Sequence, residues 1–326
     1  MTPVNPSNVA AVRAAYAAGD TAAAIAPSVY VVEVTNRCNV NCIMCPQSSI
    51  NPGRHRDLTT ESAVRLADWI APYAELVMLY FMGEPTLNAD LDEIIDIFRS
   101  RIAGRLVLST NAVALRDEDI RLLTDGRLDL LIACIDRWDG EAYEGIRRGA
   151  TFDEVVANVE ALAAECRATT TELLVKALDI KMPLEERERF VVHWEAHGAR
   201  ALVGWLDTWA GQRPNLAKLA STNAAPYAAE ERNACADLWF KMVINVNEDV
   251  VLCCHDWNSM TVLGSALSGQ SVHQVWGGRE LQRLRQEHAQ RNFGCHKLCR
   301  GCREWGEFSE LDAYLSTDAE GYYLVF

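Results

Sequence analysis

The feature of this sequence that most restricts its fold is the alternation of apolar strands and amphipathic helices over roughly its first two thirds. Apolar, β-branched runs predict strands at 30–34, 75–80, 105–109, 128–134, 172–178 and 201–206. Helices are predicted between them, among others at 59–70, 87–98, 151–167 and 184–198. Successive β-α units build a parallel sheet, and six such units suit a partial barrel as well as an open sheet.

Local signals mark the ends of these helices. Thr151 and Glu154 have the spacing of a capping box, and Gly198 follows the last of the predicted helices. The alternation stops at 211–234, where Pro, Asn, Ser and Ala predict a domain boundary. Beyond it, the sequence predicts a β-hairpin over 239–254 and an amphipathic helix over 278–290.

Membrane and secreted classes do not fit this composition. The longest apolar runs, 76–82 and 128–135, are strand-sized and far below the roughly 20 residues needed to cross a bilayer. The N-terminus lacks the basic and apolar regions of a signal peptide, so a cytoplasmic location is expected. In a reducing compartment, the 11 cysteines are metal or redox ligands rather than disulfide partners.

The net charge of −14 also limits the partners. It repels nucleic-acid phosphates and anionic membrane surfaces, and we therefore expect neither as a partner. It would attract a cationic substrate, although ordinary solubility charge is the better explanation of it.

Three cysteines, Cys38, Cys42 and Cys45, directly follow the first predicted strand. In parallel sheets, ligands bind at the carboxyl ends of the strands, so this loop lies where a site is expected. A cubane iron-sulfur cluster uses one thiolate for each of its irons, and three thiolates leave one iron open. Structural zinc prefers four ligands, and zinc would need a distant group such as His55 to complete the site.

The motifs around this loop carry a resemblance to a known family. With "MGEPTLN" (82–88), "LSTNA" (108–112) and the segment 135–159, residues 30–210 resemble the radical S-adenosylmethionine (SAM) enzymes. The resemblance implies an α/β fold with a partial (β/α)6 barrel. It also implies a 4Fe-4S cluster on Cys38, Cys42 and Cys45 whose open iron binds SAM. Reduction by a donor such as flavodoxin or ferredoxin would then yield a 5'-deoxyadenosyl radical that abstracts hydrogen from carbon.

The same resemblance implies the cofactor-binding residues Met44, Gly83, Glu84, Pro85, Ser109, Asn111 and Arg147. Glu84 matches the carboxylate that meets the SAM ammonium, although a plain strand-to-helix turn is the alternative for this element. Arg147 matches the residue that reaches the SAM carboxylate, with Arg148 as a competing assignment. Met44 would lie by the adenine. Cys134 occupies a position that is often serine and is expected to be a small packing residue.

The C-terminal region resembles the SPASM and shorter twitch extensions, which are small α+β domains that hold auxiliary clusters. The resemblance implies a second 4Fe-4S cluster on Cys235, Cys253, Cys299 and Cys302. Four thiolates also suit zinc, which is the alternative. Cys295 either contributes to the site or does not coordinate. Glu248 stands where the family usually has glycine in the hairpin, which predicts a different turn.

We therefore expect five segments along the chain. They are an N-terminal helical extension (1–28), the barrel (29–212), a linker (213–234), the auxiliary-cluster domain (235–306) and a C-terminal tail (307–326).

The cysteine arrangement is similar to that of twitch enzymes of aminoglycoside biosynthesis, such as neomycin C epimerase and 2-deoxy-scyllo-inosamine dehydrogenase. It implies hydrogen abstraction from a ring carbon of a cationic sugar or aminocyclitol. Epimerisation is the favoured outcome, with Cys254 as the hydrogen-atom donor, because strand alternation should turn its thiol away from Cys253. The alternative for Cys254 is a packing role.

Two other reactions stay open. A dehydrogenase would oxidise a secondary alcohol to a ketone through the auxiliary cluster, with Arg213, Lys218, His255 or Asp256 as the base. A SPASM peptide maturase would share both cluster motifs. Such maturases often carry an N-terminal recognition domain, for which the 28 residues before the first strand are too few.

Overall fold

The six predicted strands form a parallel sheet in the computed structural model, which describes residues 6–22, 25–220 and 232–305. These strands are β1 (Val29–Val32), β3 (Leu76–Met78), β4 (Arg105–Thr110), β5 (Leu130–Cys134), β7 (Glu172–Leu178) and β8 (Arg200–Gly204). They pair in this order, each parallel to the next. The predicted α/β architecture of a partial (β/α)6 barrel is confirmed, and the carboxyl ends of all six strands meet at one edge.

Helices lie between the strands and bury their apolar faces against the sheet. The helices are α1 (Pro6–Ala17), α2 (Thr60–Ile70), α3 (Leu91–Arg101), α4 (Asp117–Thr124), α5 (Gly140–Ile146), α6 (Phe152–Cys166), α7 (Leu184–Ala196), α8 (Asp237–Phe240), α9 (Val272–Trp276), α10 (Arg279–Ala289) and α11 (Lys297–Gly301). Leu66 of α2 and Phe98 of α3 are fully buried, as is Leu108 of β4. No helix in the described part of the chain is both long and apolar enough to cross a membrane.

The helix-end predictions had different outcomes. Gly198 follows α7 with φ of 80°, a left-handed conformation that glycine adopts without strain, as expected for a helix end. The capping box is wrong, because the side chain of Thr151 makes no cap hydrogen bond. The Glu154 carboxylate instead accepts a hydrogen bond from the Ala114 backbone N–H at 3.0 Å.

The C-terminal hairpin continues the barrel sheet. Its strands β9 (Lys241–Ile244) and β10 (Asp249–Val251) are antiparallel, and β11 (Val262–Ser265) pairs with β10. β9 lies parallel to β1, so that a single nine-stranded sheet runs through both regions. The predicted hairpin is confirmed, but β10 ends early enough that Cys253 and Cys254 lie in the following turn.

The predicted segment boundaries fall partly on residues that the structure does not describe. The N-terminal extension contains α1, and the linker begins with a short 3-10 helix, Pro214–Lys218. Residues 221–231 of the linker and the predicted tail at 307–326 lie outside the described residues.

Glu248 keeps the glycine-like turn, contrary to the prediction of a different one. Its φ is 63°, in the left-handed region, which costs a residue with a side chain roughly 1–2 kcal/mol. Its buried carboxylate receives two hydrogen bonds from Arg65, of 2.8 and 2.9 Å, and one from Ser62, of 2.7 Å. These bonds to α2 offset the backbone strain and attach the hairpin to the barrel.

Candidate functional site

The three-cysteine loop begins at the carboxyl end of β1 and is held by a short antiparallel ladder. Strand β2 (Asn41–Cys42) pairs with β6 (Arg147–Arg148), which places Cys42 opposite Arg147. Burial raises the pKa of Cys42 to about 11 and that of Cys45 to about 12. Buried thiols of this kind ionise when a metal cation binds them, so the loop fits a cluster that supplies its own positive charge.

The turn formed by Gly83, Glu84 and Pro85 lies directly against this loop. The Glu84 N–H donates to the Arg37 carbonyl oxygen at 2.7 Å. A Cβ atom on Gly83 would lie 2.2 Å from the Thr35 carbonyl oxygen, so only glycine fits this contact. Pro85 then begins a 3-10 helix. The turn and the cysteine loop are thus fixed relative to each other through backbone contacts.

Glu84 offers a buried carboxylate beside the loop. Its oxygens accept hydrogen bonds from Thr110 Oγ1 at 2.8 Å, from the Asn111 N–H at 2.7 Å and from Thr86 Oγ1 at 2.9 Å. Burial raises the pKa of Glu84, and these hydrogen bonds oppose the rise. Among the described residues, no cationic side chain forms an ion pair with it. A buried carboxylate of this kind fits an ammonium group brought by a ligand.

Asn111 connects the end of β4 to the cysteine loop. Its Nδ2 donates to Asn39 Oδ1 at 2.8 Å and lies 3.7 Å from Cys38 Sγ. Ser109, on the same strand, places its Oγ 3.4 Å from Cys134 Sγ on β5. Cys134 is only partly buried at this edge, rather than enclosed in the core as its expected packing role implies.

Arg147 is the interior member of the arginine pair. Its side chain is buried, whereas Arg148 is exposed. Arg147 Nε donates to Asp136 Oδ2 at 2.7 Å, and Asp136 Oδ1 accepts the Leu178 N–H at 3.0 Å. The sequence did not identify Asp136 as a site residue, although its place directly after β5 was an available signal. Any anion bound by Arg147 shares this guanidinium with Asp136.

The loop after β8 holds the cysteine loop from the other side. Trp209 Nε1 donates to the Met44 carbonyl oxygen at 3.0 Å, and Arg213 Nη1 donates to the Cys45 carbonyl oxygen at 2.9 Å. Gln212, in the same loop, donates to a backbone carbonyl of the C-terminal region at 2.8 Å. Met44 itself is buried. Sequence reasoning missed this bridge because side chain to backbone contacts leave no spacing pattern.

Four cysteines of the C-terminal region line one cavity, and they are Cys235, Cys253, Cys299 and Cys302. Burial raises the pKa of Cys302 to about 12, and that of Cys299 also rises with burial. The set matches the predicted auxiliary site and fits a closed four-thiolate cluster. Cys295 does not line this cavity, so the four thiols converge without it.

Cys254 lies just behind the lining of that cavity, because His255 and Asp237, which its thiol contacts, are both lining residues. Its buried thiol does not line it, and its Sγ lies 3.5 Å from His255 Nδ1 and 4.0 Å from Asp237 Oδ2. Asp237 in turn pairs with Lys241 at 3.0 Å. The His255 ring is hydrogen-bonded to the Cys253 thiol as well, so both thiols lie beside one imidazole, and their predicted separation onto opposite faces stays a prediction.

Two buried polar side chains, Tyr80 and Lys176, have cysteines outside the two sites among their charged neighbours. Burial raises the pKa of Tyr80, and the nearby thiols of Cys134 and Cys254 raise it further. Lys176 of β7 is buried, and burial lowers its pKa although the neighbouring Cys134, Asp136 and Asp207 oppose this. Sequence reasoning missed Lys176, and the available signal was one lysine within an apolar strand.

Comparison with known families supports this geometry. The Radical SAM superfamily profile matches residues 32–178, and the SPASM iron-sulfur cluster-binding domain matches residues 235–303. These domains imply a 4Fe-4S cluster, SAM and auxiliary iron-sulfur binding, as well as a reductant that donates electrons.

Among curated proteins, the AdoMet-dependent heme synthase of Methanosarcina barkeri is 28% identical over 138 residues. This alignment covers 42% of the present chain and 39% of that relative, so the chain spans less than half of the relative's length.

Two solved structures share the fold. BtrN, in complex with AdoMet and 2-DOIA, has a TM-score of 0.58 at 19% identity, covering 84% of this chain and 92% of BtrN. Streptococcus suis SuiB, bound to its precursor peptide SuiA, has a TM-score of 0.66 at 14% identity, covering 95% of this chain and 78% of SuiB. The profile matches show that the chain combines a radical SAM domain with a SPASM domain, and the two solved structures show the same fold.

Proposed function

We propose that this enzyme epimerises a ring carbon of a cationic sugar or aminocyclitol in natural-product biosynthesis, with Cys254 as the hydrogen-atom donor. The observation that carries the proposal is that Cys254 does not line the four-cysteine cavity. Its thiol is buried and lies near enough to Tyr80, two residues after β3, to raise the pKa of that phenol. A thiol that is not a cluster ligand and lies beside the barrel interior is suited to donate hydrogen to a substrate held there.

The proposal assigns the cysteines to two clusters. Cys38, Cys42 and Cys45 would hold the cluster that binds SAM. The auxiliary cluster would be held by Cys235, Cys253, Cys299 and Cys302. When bound and reduced, the first cluster and SAM supply a 5'-deoxyadenosyl radical.

The remaining assigned residues would position the cofactor. Glu84 would receive the SAM ammonium, because its buried carboxylate has no cationic partner among the described side chains. Arg147 would reach the SAM carboxylate from its contact with Asp136. Ser109 lies on β4 and Asn111 directly follows this strand, and both would contact the ribose and methionyl parts.

The proposed reaction balances with two electrons from a reductant such as flavodoxin or ferredoxin. With the first electron, bound SAM would supply methionine and the radical, and the radical would take a hydrogen atom from the ring carbon and leave as 5'-deoxyadenosine. Cys254 then gives the hydrogen atom of its S–H bond to the opposite face of that carbon and becomes a thiyl radical. The second electron and one proton restore the thiol.

The substrate class rests on two observations. The net charge of −14 favours cationic ligands. The fold neighbour BtrN was solved with 2-DOIA bound. The likeness to SuiB, which was solved with a precursor peptide bound, gives peptide modification as an alternative substrate class.

A dehydrogenase is the second candidate, and Lys176 is the observation that favours it. A buried lysine with a lowered pKa can accept the hydroxyl proton while the auxiliary cluster accepts one electron. The bases expected from sequence are less suitable, since Lys218 is exposed and Asp256 accepts two backbone hydrogen bonds. Arg213 donates a hydrogen bond to the cysteine loop, and His255 contacts the thiol of Cys254.

The test compares the parent enzyme with Cys254→Ala and Lys176→Met, using 2-deoxy-scyllo-inosamine, neomycin C and related aminoglycosides. For an epimerase, Cys254→Ala should still form 5'-deoxyadenosine but should lose at least 100-fold in inverted product. The parent enzyme in heavy water should place one deuterium at the inverted carbon. The control Cys166→Ala removes a buried thiol on α6 and should keep full turnover.

Other outcomes would contradict the epimerase. A ketone that is lost in Lys176→Met and retained in Cys254→Ala would establish the dehydrogenase. If only a precursor peptide were modified, the sugar substrate would be wrong.

A further inference from the structure

A group of three potential metal ligands lies on the outer helices, outside the two cysteine sites. His193 and His197 are one helical turn apart at the end of α7, and Glu160 faces them from α6. Residues four apart share one face of a helix, so both imidazoles project on the same side. One ligand atom from each of the three residues lies within 4.8 Å of the other two.

The separations match those of a metal coordination sphere. Glu160 Oε1 lies 3.1 Å from His193 Nε2 and 3.8 Å from His197 Nε2. Tetrahedral zinc with bonds of about 2.0–2.1 Å sets its ligand atoms about 3.3 Å apart. The two distances from Glu160 therefore bracket the spacing of two ligands on one zinc ion, and the third pair lies within 4.8 Å.

The ligand atoms of this group face one another. His197 Nδ1 lies 2.8 Å from the His193 carbonyl oxygen, which can only accept, so Nδ1 carries a hydrogen and Nε2 is the ligand atom. His193 Nε2 is buried and makes no hydrogen bond of good geometry with the described residues, although Glu160 Oε1 lies 3.1 Å away. A bound cation would satisfy all three atoms at once.

The site is also preorganised and accessible. The His193 ring packs at 4.4 Å from the Trp138 ring and at 4.3 Å from the His197 ring, measured between centroids. Packing of this kind holds an imidazole in its binding orientation at little further entropic cost. The side chains of His193, His197 and Glu160 remain 26%, 36% and 40% exposed, so an ion can enter from solvent.

We propose that Glu160, His193 and His197 bind a divalent transition-metal ion of the zinc class, with water completing the coordination. Two imidazoles and a carboxylate are ligands that Zn²⁺ prefers, whereas Ca²⁺ and Mg²⁺ prefer oxygen ligands alone. His197 is at the end of α7 that leads into β8, whereas the cysteine loops follow the opposite ends of their strands. The ion therefore ties α6 to α7 and takes no part in the radical reaction.

The experiment uses cluster-loaded enzyme, first treated with a chelator under conditions that leave its iron content unchanged. Zn²⁺ is then titrated by calorimetry, and bound zinc is counted after gel filtration. The parent enzyme should retain one more zinc per chain than the His193→Ala/His197→Ala variant, and zinc should raise its unfolding temperature by a few degrees. Glu160→Gln keeps the size of the side chain and should weaken zinc binding at least tenfold. The control His273→Ala removes an exposed histidine of α9 and should bind zinc like the parent.

X-ray absorption at the zinc edge separates this site from adventitious binding to cysteine. The proposal requires nitrogen and oxygen neighbours at about 2.0–2.1 Å with imidazole scattering, whereas cysteine binding gives sulfur at about 2.3 Å. Equal zinc content in the parent enzyme and the double variant, or sulfur neighbours alone, would overturn it. Should the double variant fail to fold, the calorimetry of Glu160→Gln and the absorption spectrum of the parent decide the question.

Discussion

The loop after β1 takes its three cysteines from eight consecutive residues, whereas the C-terminal cavity gathers four cysteines from residues 235 to 302. The first set is local in the sequence. Tertiary contacts of Arg37, Trp209 and Arg213 help to orient its loop. The second set exists only when β10 and α11 are folded together. Three thiolates leave one iron free to bind SAM, while four close their cluster to ligands. The placement of the cysteines in the chain thus corresponds to two chemically different sites.

The largest expected effect comes from removing a ligand of the open site, which is formed by Cys38, Cys42 and Cys45. The parent enzyme should hold about eight irons per chain, and Cys38→Ala should keep about four, because the C-terminal cavity retains all its thiols. SAM cleavage should become undetectable. Iron analysis and measurement of 5'-deoxyadenosine check this, with Cys166→Ala as the control. Residual cleavage at a tenth of the parent rate would contradict the assignment of Cys38.

The closed site, formed by Cys235, Cys253, Cys299 and Cys302, should respond differently to the loss of one cysteine. Cys299→Ala should also reduce iron to about four per chain, but it should retain SAM cleavage because the loop after β1 is untouched. Product formation should fall far more than 5'-deoxyadenosine formation. Cys295→Ala is the matched control and should keep full iron, since Cys295 does not line the cavity. Equal iron loss in both variants would show that Cys295 is a ligand.

A smaller effect is expected at Glu84, which lies beside the open site. Glu84→Gln retains the shape of the side chain but loses the charge, and a charge-assisted hydrogen bond contributes roughly 1.5–3 kcal/mol. SAM binding should weaken by about tenfold or more, as measured by equilibrium binding to the cluster-loaded enzyme. Glu154→Gln changes an exposed carboxylate that also accepts a backbone hydrogen bond, and should bind SAM normally. Unchanged affinity in Glu84→Gln would remove the ammonium assignment.

The smallest effect concerns the turn that supports the closed site. Glu248→Gly and Glu248→Ala both lose the hydrogen bonds to Arg65, but only alanine still bears the strain of a left-handed backbone. The alanine variant should therefore be less stable than the glycine variant by about 1 kcal/mol. Denaturant unfolding of the two variants measures this difference. If alanine is as stable as glycine, the backbone strain at Glu248 is negligible.

The sequence was most informative where structure is local. The six strands were predictable because apolar, β-branched runs of this length have few alternatives, and the three-cysteine loop because its spacing is contiguous. The contacts of Asp136 with Arg147 and of Trp209 with Met44 join separate elements, and no periodicity encodes them. The capping box failed for the same reason, since Glu154 found a tertiary partner in Ala114.

Because β9 pairs with β1, the barrel and the C-terminal region share one sheet. In an excised barrel ending near residue 212, the apolar strand β1 would become an edge, with unpaired N–H and C=O groups. Strands of that kind associate with other chains, so the excised fragment should precipitate on expression. The C-terminal region therefore protects the barrel edge from self-association by covering β1 with β9.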